Sequence, residues 1–211
     1  MRASSGMRRG ARRGTRSTAP LIAFAAAMVS GRAAAARRAL LAARRAGLPR
    51  VAAEETALML VLHAGYPAAL EGARTLNLTW PGRARRTREG RPRDWMRRGE
   101  ARCAGVYGAA YGRLRRAVRA LHPDLAVWMI EQGYGRVLSR TGLDPATREL
   151  VAVTVLAATG WERQLTSHLL GAVRLGASRR AIRAAVAAGL SGAPSRARVA
   201  AAQAWKQAFG T

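Results

Sequence analysis

The segment DPATRELVAVTVLAATGWERQLTSHLLGAVRLG, residues 144–176, contains the signals for two helices and for the turn between them. Asp144 is a favourable N-cap, so a helix is predicted to begin directly after it. The apolar run that follows is free of Gly until Gly160, which marks a turn. A second helix is predicted over 161–175, and Gly176 suits a left-handed C-terminal cap. Runs of this kind, rich in Ala and Leu, predict an all-α protein.

The chain also carries an internal repeat. Residues 20–57 align without a gap on residues 149–186, and ten of the 38 pairs are identical. The pairs that fix turns and a buried face are Gly31/Gly160, Gly47/Gly176, Leu40/Leu169 and Leu41/Leu170. The repeat predicts a tandem of two related helical units.

Composition divides the chain into four predicted segments. A basic disordered tail covers 1–17, the first unit 18–80, an Arg-rich linker 81–100, and the second unit 101–211. The tail and the linker are expected to be poorly ordered. The tail and the apolar run after it resemble a secretory signal, but the repeat makes that run the first helix of a folded unit.

Net charge and thiol content narrow the function classes. The net charge is +26, yet Lys206 is the only lysine, so the excess arginine reflects composition bias and nucleic-acid binding is not expected.

No apolar run is long enough to span a membrane, and a cytoplasmic location is expected. Cys103 is the only cysteine, which excludes an intramolecular disulfide and a multi-cysteine zinc site. We expect Cys103 to act as a small apolar residue and predict no metal site.

Residues 131–190 resemble the carboxymuconolactone decarboxylase family. The matching motifs are GYGRVLSRTGLD at 133–144, TREL at 147–150 and QLTSHLLGA at 164–172, and the first unit keeps LHAGYPAA at 62–69. The resemblance implies an alkylhydroperoxidase D-like helical fold, a homo-oligomer, a small carboxylated substrate and no cofactor.

Close relatives in that superfamily reduce disulfides through a Cys-x-x-Cys motif that lies between a glutamate and a histidine. Glu149 and His168 occupy the glutamate and histidine positions here, but Trp161 and Gln164 occupy the cysteine positions. Redox chemistry of this kind needs a thiolate and a resolving thiol. Peroxidase or disulfide reductase activity is therefore not expected.

The decarboxylase branch of the family lacks those cysteines as well, and its reaction is the loss of carbon dioxide from 4-carboxymuconolactone. The resemblance implies that Glu149 and His168 are catalytic, with the imidazole delivering a proton and the carboxylate orienting it. We predict that both lie in a small pocket, because a turn at Gly160 would bring their helices back antiparallel. The predicted substrate-binding residues are Gln164, Trp161, Tyr134, Arg140, His63 and Tyr66.

Ordinary structural roles explain several of these residues equally well. Glu149 could be a solvent-facing acid near a helix start, and His168 a hydrogen-bonded core residue. His122 precedes a proline and is expected in a turn.

The favoured function is a lyase that decarboxylates a small carboxylated lactone or related acid. The alternative is a degenerate, non-catalytic family member that serves as a binding or structural module.

Overall fold

A computed structural model describes residues 17–84 and 90–210. Throughout these two ranges the regular structure is helical, with no strand, so the predicted all-α class is confirmed. Within the same ranges, no helix combines the length and the hydropathy that a membrane span requires.

The first half of the chain is a series of helices of unequal length. The bounds are α1 Ala19–Val29, α2 Ala33–Arg45, α3 Arg50–Thr79, α4 Pro92–Tyr107 and α5 Tyr111–Leu121, with a 3₁₀ turn at Gly108–Ala110 before α5. Helix α3 is interrupted at Gly65, whose φ of 84° and ψ of 169° are not helical. Pro67 follows, and it has no N–H to donate to the carbonyl group of His63 four residues earlier.

The second half begins with a short helix and a π-helical segment. The bounds are α6 Pro123–Trp128, the π-helix Met129–Leu138, α7 Pro145–Thr159, α8 Glu162–Arg174, α9 Arg179–Leu190 and α10 Ser195–Phe209. His122 caps α6, since its Nδ1 accepts a hydrogen bond from the backbone N–H of Asp124 at 3.1 Å. The turn predicted at His122 is confirmed.

Helix α7 is the central element of the molecule. Twelve consecutive residues, 147–158, are buried in it, and it packs on α1, α3, α8, α9 and α10. The carboxylate of Asp144 accepts a hydrogen bond from the Thr147 N–H at 2.9 Å, and Gly160 ends the helix with a φ of 77°. The predicted cap and turn are therefore confirmed. Helix α9 approaches closely because Gly189 has no side chain; a Cβ there would overlap the carbonyl oxygen of Thr154.

Helix bounds recur at equivalent positions of the predicted repeat. In the alignment of the two halves, both ends of α2 fall on the corresponding ends of α8, and the first residue of α3 falls on the first residue of α9. These bounds agree with the alignment, and the repeat itself stays a prediction that a backbone superposition tests.

The predicted linker over 81–100 is wrong for its second part, because α4 begins at Pro92. One face of α4 is apolar: Cys103 and Val106 are fully buried, and Met96 packs against the core. Gly99 lies on this face, where a Cβ would overlap the carbonyl oxygen of Ile130. The arginines between these positions conceal the helical spacing in the sequence. The predictions for 1–16 and 85–89 lie outside the described residues.

Candidate active site

Glu149 and His168 meet in the interior between two antiparallel helices. The turn at Gly160 reverses the chain after α7, so α8 runs back beside it. The Oε2 atom of Glu149 lies 2.8 Å from Nδ1 of His168, and the two residues are 2% and 6% exposed. The predicted approach of these side chains is confirmed.

A glycine makes room for the carboxylate. Gly171 lies on α8, one turn after His168, and a Cβ there would lie 2.8 Å from Oε2 of Glu149 and 2.6 Å from Cγ1 of Val106. Both distances are shorter than ordinary contacts between nonbonded atoms. The space for the Glu149 side chain therefore depends on the absence of a side chain at 171.

The pair satisfies a requirement that burial imposes. A buried carboxylate is costly unless it is paired and hydrogen-bonded, and the imidazole of His168 supplies such a partner. Because Glu149 occupies Nδ1, the Nε2 atom of His168 is the ring nitrogen that can exchange a proton with a ligand.

A second imidazole comes from the first half of the chain. His63 lies on α3 just before the interruption at Gly65, and its ring packs edge-on against His168 with centroids 5.5 Å apart. Its Nε2 atom is buried and has no hydrogen-bond partner among the described residues. Burial, together with the positive charge of His168, lowers the pKa of His63 from 6.5 to about 3. His63 is therefore a neutral imidazole near pH 7.

Two phenols complete the polar surroundings of the carboxylate. The rings of Tyr107 and Tyr134 pack edge-on against each other, with centroids 6.4 Å apart. Burial raises the pKa of both tyrosines, and the charge of Glu149 contributes in the same direction. Both hydroxyl groups thus remain protonated and can donate hydrogen bonds to developing negative charge.

Cys103 lies beside this group but is not reactive. It is fully buried, and burial raises the pKa of its thiol to about 12. Thiolate, the nucleophilic form, is therefore scarce at neutral pH. The predicted role of Cys103 as a small apolar residue is confirmed.

The predicted binding residues other than Arg140 divide into two groups. Tyr134 and His63 lie with the Glu149–His168 pair, as described above. Trp161 and Tyr66 are 61% and 68% exposed, and Gln164 is exposed although it lies one turn before His168. The structure does not bring these three side chains into the buried group.

Arg140 takes part in a buried ion-pair cluster that sequence reasoning missed. Its Nε lies 3.0 Å from Oε2 of Glu55, and Nη2 of Arg148 lies 2.7 Å from the same atom. Glu55 and Arg148 are each 2% exposed. Burial lowers the pKa of Arg148, although the hydrogen bond and charge of Glu55 oppose this shift. One feature of the sequence could have indicated this cluster: two adjacent charged residues, Arg148 and Glu149, lie inside an otherwise apolar helix.

Two of the hollows on the described part of the chain have neither Glu149 nor His168 in their walls. The broader one lies between the start of α1, the start of α7 and the turn before α9, with Thr18, Asp144 and Ser178 among its lining residues. The smaller one, of about 150 Å³, lies beside Glu55 and Arg140. The Glu149–His168 pair is buried and does not border either of these hollows.

The described part of the chain is all-helical, and a carboxylate–imidazole pair lies between two of its antiparallel helices. The chain has no redox-active thiol pair, because Cys103 is its only cysteine. These features define the class of protein as a helical domain with a buried acid–base pair. Residues 123–207 match the carboxymuconolactone decarboxylase family. The resemblance seen in the sequence is therefore confirmed for this part of the chain, and the family includes the alkylhydroperoxidase D-like proteins. No curated protein matches the chain. Among residues 17–84 and 90–210, no group of three or more His, Cys, Asp or Glu residues is arranged to hold a metal ion.

Proposed function

We propose that this protein is a carboxy-lyase that removes carbon dioxide from a small carboxylated lactone or a related acid. The observation that carries the proposal is the buried contact of 2.8 Å between Glu149 and His168. The match of residues 123–207 to the decarboxylase family supports the same reaction class.

The reaction requires one bond to break and one proton to be delivered. The bond between the ring carbon and the carboxylate carbon breaks, its electron pair stays on the conjugated lactone, and carbon dioxide leaves. The imidazolium of His168 then donates the proton at Nε2 to the ring carbon, and it regains a proton from solvent. Glu149 fixes the orientation of the imidazole through its contact with Nδ1. The neutral hydroxyl groups of Tyr107 and Tyr134 are suited to stabilise the developing charge on the lactone oxygen.

The test is turnover of 4-carboxymuconolactone by the purified chain. We expect carbon dioxide release by the wild type and a loss of about 100-fold or more in His168→Ala, the range typical of a lost general acid. His122→Asn is the matched control, because it removes an exposed imidazole and keeps a side chain that can cap α6. Full turnover by His168→Ala would contradict the proposal.

A non-catalytic module is the second candidate, and one observation favours it. Neither described hollow reaches the Glu149–His168 pair. If the pair has only a structural role, Glu149→Gln will lower the melting temperature of a protein that shows no turnover of any lactone acid. Thiol chemistry is not proposed, since Trp161 and Gln164 carry no thiol and the pKa of Cys103 is raised.

We also propose that the chain forms a homo-oligomer. Exposed apolar side chains near the junction of α5 and α6 support this: Leu121 is 79%, Trp128 53% and Leu125 46% exposed. Light scattering of the purified chain tests it. A monomer mass at high protein concentration would contradict it.

A further inference from the structure

We propose that His63, supplied by the first half of the chain, is a substrate-binding group of the Glu149–His168 site, with its Nε2 atom forming a hydrogen bond to an uncharged oxygen of the ligand, such as the carbonyl or ring oxygen of a lactone. This inference rests on the proposed function for the class of ligand. It adds to that function the requirement that the first half of the chain supplies a substrate-binding residue.

The first argument is the state of the Nε2 atom itself. Buried polar atoms are nearly always hydrogen-bonded, and leaving one unpaired is costly. The Nε2 atom of His63 is buried, yet none of the described residues offers it a partner. A ligand oxygen at that position would satisfy it.

The second argument is location. The rings of His63 and His168 are nearly perpendicular, with an interplanar angle of 83° and centroids 5.5 Å apart. That separation is close enough for a small ring held by one imidazole to reach the other. As a whole residue His63 is partly exposed and His168 is buried, and the Nε2 atom of His63 is itself buried.

The third argument is the difference in charge between the two imidazoles. His168 has the carboxylate of Glu149 at 2.8 Å, whereas no described acid forms an ion pair with His63. Two adjacent cationic rings would repel each other, and His63 is the ring without a countercharge beside it. A neutral imidazole is suited to an uncharged oxygen, because it offers a hydrogen bond without attracting the ligand's carboxylate away from the reacting position.

The alignment of the two halves also indicates that each half contributes a different polar group to the site. In the alignment of the two halves, Glu149 and His168 correspond to Pro20 and Ala39, so the first unit has no acid–base pair of its own. The residue that corresponds to His63 is Gly192, or Leu190 if the alignment is shifted so that Gly65 falls on Gly192. Each half of the chain therefore provides a polar group that the other lacks.

The test uses γ-butyrolactone-γ-carboxylate, a saturated lactone acid that has no conjugated system to accept the electron pair. The chain contains three histidines, so their ring nitrogens can be resolved by nitrogen-15 NMR, with the exposed His122 as internal reference. We expect the probe to shift the Nε2 signals of His63 and His168 and not those of His122.

Affinity for the probe is then measured for His63→Leu and His63→Gln. We expect His63→Leu to bind about fivefold to tenfold more weakly, as for one lost hydrogen bond. His63→Gln is expected to recover part of the affinity, because its amide can still form that bond. Rescue by Gln separates a binding role from a merely structural one, and melting curves of both variants check that they fold.

The outcomes separate this inference from the proposed function. If the probe shifts His168 alone and both variants bind like the wild type, the inference is overturned and the lyase proposal stands. If binding depends on His63 but 4-carboxymuconolactone is not decarboxylated, the lyase proposal fails and the binding role of His63 stands. If the wild type does not bind the probe at all, the inference is overturned, and turnover of 4-carboxymuconolactone alone decides the lyase proposal.

Discussion

At the scale of single residues, the absence of a side chain at Gly171 determines where the carboxylate of Glu149 can lie. We expect Gly171→Ala to lower the free energy of unfolding by about 1–3 kcal/mol, the usual effect of an extra methyl group in a packed interior. The added Cβ would meet both Val106 and Glu149, so the carboxylate would move away from His168. Urea unfolding and the NMR signals of His168 measure the two effects.

The matched control for this change is Gly105→Ala on α4. The nearest atom to a Cβ at 105 lies at 3.9 Å, an ordinary contact. Alanine also favours a helix over glycine, so stability should rise by up to about 1 kcal/mol. Equal losses in the two variants would contradict the role assigned to Gly171.

The neutral state of His63 makes stability depend on pH. In the unfolded chain its imidazole takes up a proton as the pH falls through 6.5, whereas in the folded protein it does so only near pH 3. Protonation therefore favours the unfolded state. This contribution to stability is fully present above pH 6.5 and is lost progressively as the pH falls toward 3.

We expect the wild type to lose more stability on acidification through pH 6.5 than His63→Leu, which has no imidazole at this position. Urea unfolding of both proteins above and below that pH measures the difference. Parallel stability curves would show that the surroundings of His63 do not exclude its charged form.

At the scale of helices, an ion pair connects α3 to α7. Glu55→Gln would leave Arg148 buried without a countercharge, and we expect a loss of about 3–5 kcal/mol. Glu71→Gln on the same helix is the control. Its side chain is 62% exposed and 3.9 Å from Arg74, so we expect a change of about 0.5 kcal/mol or less. Thermal unfolding distinguishes them, and equal effects would contradict the prediction.

The sequence predicts helices well where their ends carry strong signals. Asp144 and Gly160 bound α7, and Ser178 caps α9 as its hydroxyl accepts from the Ala181 N–H at 3.2 Å. Helix α4 was missed because its buried face consists of small or isolated residues, such as Gly99 and Cys103, among arginines. The linker prediction relied on the arginine content of this segment and not on the spacing of its apolar residues.

The candidate site was only partly predictable for a related reason. The separation of Glu149 and His168 along two antiparallel helices follows from helical geometry and the position of the turn. The exposure of Trp161 and Gln164 depends instead on which face of α8 the rest of the fold covers, and the core takes Leu165 and Leu169. The Glu55–Arg148 contact joins residues 93 positions apart, and no local pattern encodes it.

At the scale of the whole molecule, the two halves share the larger of two apolar clusters. A single apolar cluster contains Ile22 and Met59 from the first half with Leu150 and Ile182 from the second. Helices α1 and α3 both pack on α7. We therefore expect one cooperative unfolding transition in calorimetry, with equal calorimetric and van't Hoff enthalpies. Two separated transitions would mean that the halves unfold independently.

Cys103 gives this shared interior a chemical reporter. Since the chain has no other thiol and this one is fully buried with a raised pKa, alkylating reagents find no target in the folded protein. The sulfur becomes available only in molecules whose α4 has separated from the core. At reagent concentrations where alkylation is faster than reclosing, its rate gives the frequency at which α4 separates from the core, without any denaturant.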